Sequence, residues 1–184
     1  LKFQSLTVRY EAAEDRIVIL GSNPKAEQIL LLTRRLTFGL LSALSQQIQQ
    51  TQGDQRLAQA GLQDELLSMK HARALNRIRE AQVDCVVVSE SPERLPTRLL
   101  TQIEISDRPQ GRLLIFKDAS GEIARMALDA AQLHWFVGRL ATHSRTAGWG
   151  NPIPVPGWLD SNASAEPGSR QVHGTLGTLA LSPP

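Results

Sequence analysis

Apolar side chains recur along this chain with period two in some stretches and with helical spacing in others. Phe3, Leu6, Val8 and Tyr10 alternate loosely and predict an edge-like strand over Phe3–Tyr10. Glu11–Asp15 is a charged turn, and Arg16–Leu20 is nearly all β-branched or aliphatic, a second strand. Gly21-Ser22-Asn23-Pro24 is a turn signal, because Gly and Asn tolerate positive φ and Pro fixes its own. Glu27–Leu32 is a third strand, so the first thirty-odd residues predict an antiparallel meander. Thr33 then caps a helix with its hydroxyl, and Leu36, Leu40, Leu41, Leu44 and Ile48 form an apolar stripe to lie across the meander. The Gln-rich run 46–52 is its polar end, and Gly53 stops it.

Residues 54–81 predict a second helix, weakened at Gly61, with Leu62, Leu66, Met69, Leu75 and Ile78 as its apolar members and a hairpin with the first helix as one arrangement. Val83–Val88 predicts a buried strand, and Ser89–Pro96, with two prolines, a linker. Arg98–Ser106, Arg112–Phe116 and Glu122–Leu128 predict three more strands, with turns at 107–111 and 117–121. Asp129 caps the helix that follows, and Gln132 completes a capping-box pattern. Leu133, Phe136, Val137 and Leu140 are that helix's apolar face.

This second series repeats the first. Moved forward by ninety-six positions, Arg16–Leu44 falls on Arg112–Leu140 without a gap: Leu30 and Leu32 land on Met126 and Leu128, Thr33 on Asp129, and Leu40, Leu41 and Leu44 on Phe136, Val137 and Leu140. Few identities recur; the apolar pattern and the cap do. The expected fold is therefore α+β, with tandem duplicated β-meander-plus-helix units, antiparallel sheet and pseudo-two-fold symmetry, joined by a helical hairpin and one extra strand. Residues 1–150 form one domain of two repeats, about 3–52 and 98–145, with a helical insert at 54–88. The meanders make either one continuous sheet or two packed sheets.

From about residue 151 the pattern changes to Pro, Gly, Ser and Ala, too poor in large apolar side chains to offset its ordering entropy, so 151–184 reads as a disordered tail. Two apolar islets interrupt it, Ile153–Leu159 and Leu176–Leu181. Each either packs back onto the domain or docks a partner as a short linear segment.

Composition adds limits. Of 184 residues, 41% are hydrophobic and only 4% aromatic, so the core is built mainly from Leu, Ile, Val and Ala. A formal charge of +2 names no partner. The single cysteine, Cys85, excludes an intramolecular disulfide and reads as a buried thiol in an apolar run. No run approaches the ~20 apolar residues of a membrane span, and no signal-peptide core opens the chain, which makes a cytoplasmic setting the default expectation.

The strongest charge signal is Lys70, Arg73 and Arg77, one face of a helix whose cations can follow phosphates or simply face solvent. No aromatic interleaves them to stack on bases. Arg34 and Arg35 open the first repeat helix, against its dipole, where the second repeat has Ala130 and Ala131. They meet either an anion or acidic partner, or the chain's own Glu11, Glu14 or Asp15. Trp135 stands where the first repeat has Gly39, a seam filler or a partner anchor. Trp158 is the large side chain of the first tail islet. The histidines, 71, 134, 143 and 173, have no metal-binding spacing, and neither a phosphate loop nor a nucleophile elbow is present. No metal, cofactor or catalytic residue is assigned. The leading expectation is a non-catalytic interaction protein with a protein partner; nucleic-acid binding through a sheet face and helix 70–79 is second, and an enzyme of dispersed residues third. The candidate contacts are Arg34, Arg35, Lys70, Arg73, Arg77 and Trp158.

Overall fold

The computed structural model describes residues 1–81, 95–150, 156–160 and 177–180. Two sheets and a helical layer make an α+β fold. The first meander is β1 (Ser5–Glu11), β2 (Arg16–Asn23) and β3 (Ala26–Leu32), followed by α1 (Arg34–Gln52). Next come α2 (Gln55–Gln59), α3 (Gln63–Ala81) and the short β4 (Thr97–Leu99). The second meander is β5 (Gln102–Arg108), β6 (Gly111–Asp118) and β7 (Gly121–Leu128), followed by α4 (Ala130–Thr146). The tail contributes α5 (Gly157–Asp160) and β8 (Gly177–Ala180).

The sheets are separate. One runs β4-β3-β2-β1-β8, the other β5-β6-β7. All pairings are antiparallel except β3 with β4. The strand expected over Arg98–Ser106 is therefore two: β4 finishes the first sheet, Leu100 turns inward at 2% exposure, and β5 starts the second. A similar crossing occurs at the N-terminus. Arg125 N–H donates to Leu1 O and Phe3 N–H donates to Arg125 O, which lays residues 1–3 parallel along β7 before the chain enters β1. Phe3 then lies over Gly21 so closely that a Cβ there would come within 2.3 Å of its ring. Its ring also meets Phe116 of β6 at 6.3 Å, which joins the two sheets.

Both meander helices start as their caps dictate. Thr33 Oγ1 accepts from Leu36 N–H. Asp129 Oδ1 accepts from Gln132 N–H while Gln132 Oε1 accepts from Asp129 N–H, a complete capping box. The expected stripe on α1 is buried at Leu40, Leu41, Leu44 and Ile48, with Phe38 added and Leu36 half-buried.

The helix expected over 54–81 is interrupted. Gly61 takes φ +73°, which separates α2 from α3. The buried stripe of α3 is Leu67, His71, Ala74 and Ile78, whereas Leu62 and Met69 face solvent. That stripe packs mainly on α4, so the expected α1–α3 hairpin is replaced by an α3–α4 pair. The expected strand Val83–Val88, with Cys85, lies outside the described residues, as does most of the linker 89–96. Of the expected disordered tail, only 156–160 and 177–180 are described, and both pieces lie on the domain. Trp158 and Leu159 are buried, and β8 pairs with β1 from Ser5↔Ala180 to Val8↔Gly177. No helix among the described residues is long and apolar enough to cross a membrane.

Candidate functional site

A groove of about 500 Å³ runs between α1 and β5. Its helical wall is Arg35, Leu36, Gly39, Leu40 and Ala43, and its strand wall is Thr101, Ile103 and Ile105. The Thr33 cap fixes where α1 starts, and helical spacing stacks Leu36, Leu40 and Ala43 along one side. Strand alternation puts Ile103 and Ile105 on one face of β5, where both are half-buried. Arg112 of β6 holds α1 against this sheet by donating from Nε to Gln47 Oε1 at 3.0 Å. Gly39 is exposed, and a Cβ placed on it would meet nothing within 4 Å, so the floor of the groove is open for want of a side chain.

The groove also borders a sheet edge. Alternate residues of an edge strand turn their N–H and C=O groups away from the sheet. Among the described residues, β5 pairs with β6 and with no other strand. Charge at this end is positive on the helix side: Arg35 is exposed in the first turn of α1, where the helix dipole adds to its field.

Of the sequence-derived candidates, Arg35 alone lines this groove. Arg34 turns to the other side, donating to Gly150 O at 3.2 Å and lying over the Phe38 ring. It adds to the field that keeps the Asp15 carboxyl below its ordinary range, after the hydrogen bonds from Trp149 and Tyr10. Lys70 is exposed and donates to Gln52 O at the end of α1. Arg73 and Arg77 are exposed on the face of α3 away from its buried stripe. Trp158 is enclosed, at 1% exposure, on a part of the molecule distinct from the groove. Trp135 is buried as well, with Arg139 over its ring.

Trp158 covers a pair that sequence spacing does not reveal. His71 and His134 are both buried, with Nδ1 atoms 3.2 Å apart, and the Trp158 ring stands edge-on to each, with centroids at 5.5 and 5.6 Å. Gln52 Oε1 lies 2.9 Å from His134 Nε2. Gln52 thus accepts from His134 Nε2–H, which leaves His134 Nδ1 to accept from His71 Nδ1–H. Burial pushes His71 down to about 4. Burial does the same to His134, helped by the nearby His71 and Lys70 charges. Two neutral rings in one hydrogen bond are the stable state at neutral pH. Among the described residues no three His, Cys, Asp or Glu side chains come together around a possible metal position. The two histidines are 63 positions apart, so no local spacing could pair them; His71 within the buried stripe of α3 was the available signal.

Comparison with protein-family models, with curated proteins and with solved structures finds no match for this chain.

Proposed function

We propose that this chain is a non-catalytic interaction protein, an adaptor or assembly factor, that engages a protein partner in the groove between α1 and β5. One observation carries the reading. β1 has β8 on its outer edge, whereas among the described residues β5 has no strand there and borders the groove.

The reading includes an internal duplication, which several correspondences support. Leu6 faces Gly21, and ninety-six positions on, Gln102 faces Lys117; likewise Glu11 faces Arg16 and Asp107 faces Arg112. β4 runs parallel to β3 as residues 1–3 run parallel to β7. α1 packs on β5, and α4 packs on β1. Within this frame β5 corresponds to β1 and Gly39 to Trp135. The first sheet has β8 on the β1 edge and buried Trp135 on the helix behind it. At the corresponding place the second has the groove.

The second reading, nucleic-acid binding by Lys70, Arg73 and Arg77, draws only on their exposure, and no aromatic accompanies them on that face of α3. The test of the leading reading is a comparison of partner capture by the native chain and by Gly39→Trp. The substitution fills the groove with the residue found at position 135 and has room to do so. Partners retained by the native chain are expected to be lost from the variant. Equal capture by both would remove the groove from the account.

A further inference from the structure

We infer that the groove is a strand acceptor: it takes an extended segment of a partner protein as an additional antiparallel strand on β5, with an acidic side chain of that segment at Arg35. The inference rests on the groove reading above and specifies its ligand.

The molecule itself supplies the pattern. β1 and β5 hold the same pairing register with their hairpin partners, ninety-six positions apart. β1 has accepted a strand on its outer edge, the four residues of β8, in antiparallel register along Ser5–Val8. The corresponding stretch, Thr101–Glu104, leads into β5 and contributes Thr101 and Ile103 to the groove. On the opposite edge of each sheet the two halves match, since β4 covers β3 and residues 1–3 cover β7. Among the described residues, the outer edge of β5 is the position of this arrangement with no backbone segment paired on it.

The chemistry of the occupant follows from the walls. A strand added here leaves its backbone groups paired with β5, and every second side chain points at α1. Those side chains meet Leu36, Gly39, Leu40 and Ala43, so small or β-branched apolar residues fit. Arg35 is exposed in the first turn of α1, where guanidinium and helix dipole act with one sign, so an acid at that end of the segment is favoured and a cation is not.

The experiment uses the full chain and fluorescein-labelled peptides of about six alternating valine and threonine residues. One peptide ends in two glutamates and one in two lysines. Two further versions of the glutamate peptide are N-methylated on alternate amides, in either phase. The glutamate peptide is expected to raise the anisotropy, and the lysine peptide to bind about fivefold more weakly. Arg35→Glu, at an exposed position, reverses that preference, and Gly39→Trp weakens both peptides at least about tenfold. One methylation phase abolishes binding and the other is tolerated, because only one set of amides faces β5. If both phases bind alike while Gly39→Trp still blocks, strand addition is wrong and the groove reading stands. If Gly39→Trp leaves peptide binding unchanged, the groove reading fails as well. No binding by either peptide overturns the strand acceptor.

Discussion

β1 and β5 are the first strands of their meanders, of equal length and in the same hairpin register, yet the outer side of one is closed over and that of the other is not. On β1 the chain adds its own β8, and α4, which carries the buried Trp135, packs on β1. On β5 no described strand is added, and α1 presents Arg35, Gly39 and Ala43 instead. Most of the difference is one large side chain and one short strand. On the proposed duplication, one copy serves stability and the other is left for recognition, since an uncovered sheet edge invites another strand to pair with it.

The comparison breaks most visibly at its Trp/Gly pair. Trp135→Ala should cost about 3–5 kcal/mol, the range for removing a buried aromatic. Gly39→Trp should leave stability within about 0.5 kcal/mol, because it occupies open space at an exposed helix position. Denaturant midpoints at constant m-value check both. Equal losses would mean that the two positions are not environments of opposite kind.

A smaller effect concerns how the tail is held on the filled half. Trp158 sits on the His71–His134 pair, and the chain continues from α5 towards β8. Both imidazoles titrate near 4 when folded, against about 6.5 when unfolded. The unfolded chain thus binds more protons once the pH falls below about 6.5. Stability is fully present above that value and is lost as the pH drops towards 4, by roughly 2 kcal/mol per imidazole at pH 5. Lys70 nearby opposes a positive His134 and sharpens the effect. Unfolding curves from pH 7.5 to 5 should show the fall, with near-ultraviolet dichroism of Trp158 lost alongside it. In His134→Gln the remaining slope should be about half. A flat profile would mean that the imidazoles are not buried as a neutral pair.

Much of the frame was legible because it is local. Thr33 and Asp129 announce their helices by side-chain chemistry, and β2, β3, β6 and β7 by runs of aliphatic residues between turns. Boundaries moved where a turn proved tighter than its signal. β2 extends through Asn23, whose Oδ1 accepts from Lys25 and Ala26 N–H, so the turn is confined to Pro24 and Lys25. The split of 98–106 into β4 and β5 left no mark in the apolar pattern, because Leu99 and Leu100 continue it; which sheet each half joins is decided by β3 and β6. On α3 the aliphatic pattern includes Met69, which is 72% exposed, whereas the buried stripe runs through the polar His71, which is 2% exposed. The Gly39/Trp135 contrast was visible in the sequence, but a groove needs the strand opposite, and that neighbour is tertiary.

The most direct test of the central contrast is native-state hydrogen exchange of the free chain, comparing the amides of Ser5–Val8 with those of Gln102–Arg108 that point away from β6. The β1 amides, bonded to β2 on one side and β8 on the other, should all be protected. The outward amides of β5 should exchange at least about a hundredfold faster than their inward neighbours. Equal protection along both strands would mean that β5 is already covered by the chain itself, and the open acceptor edge would not exist.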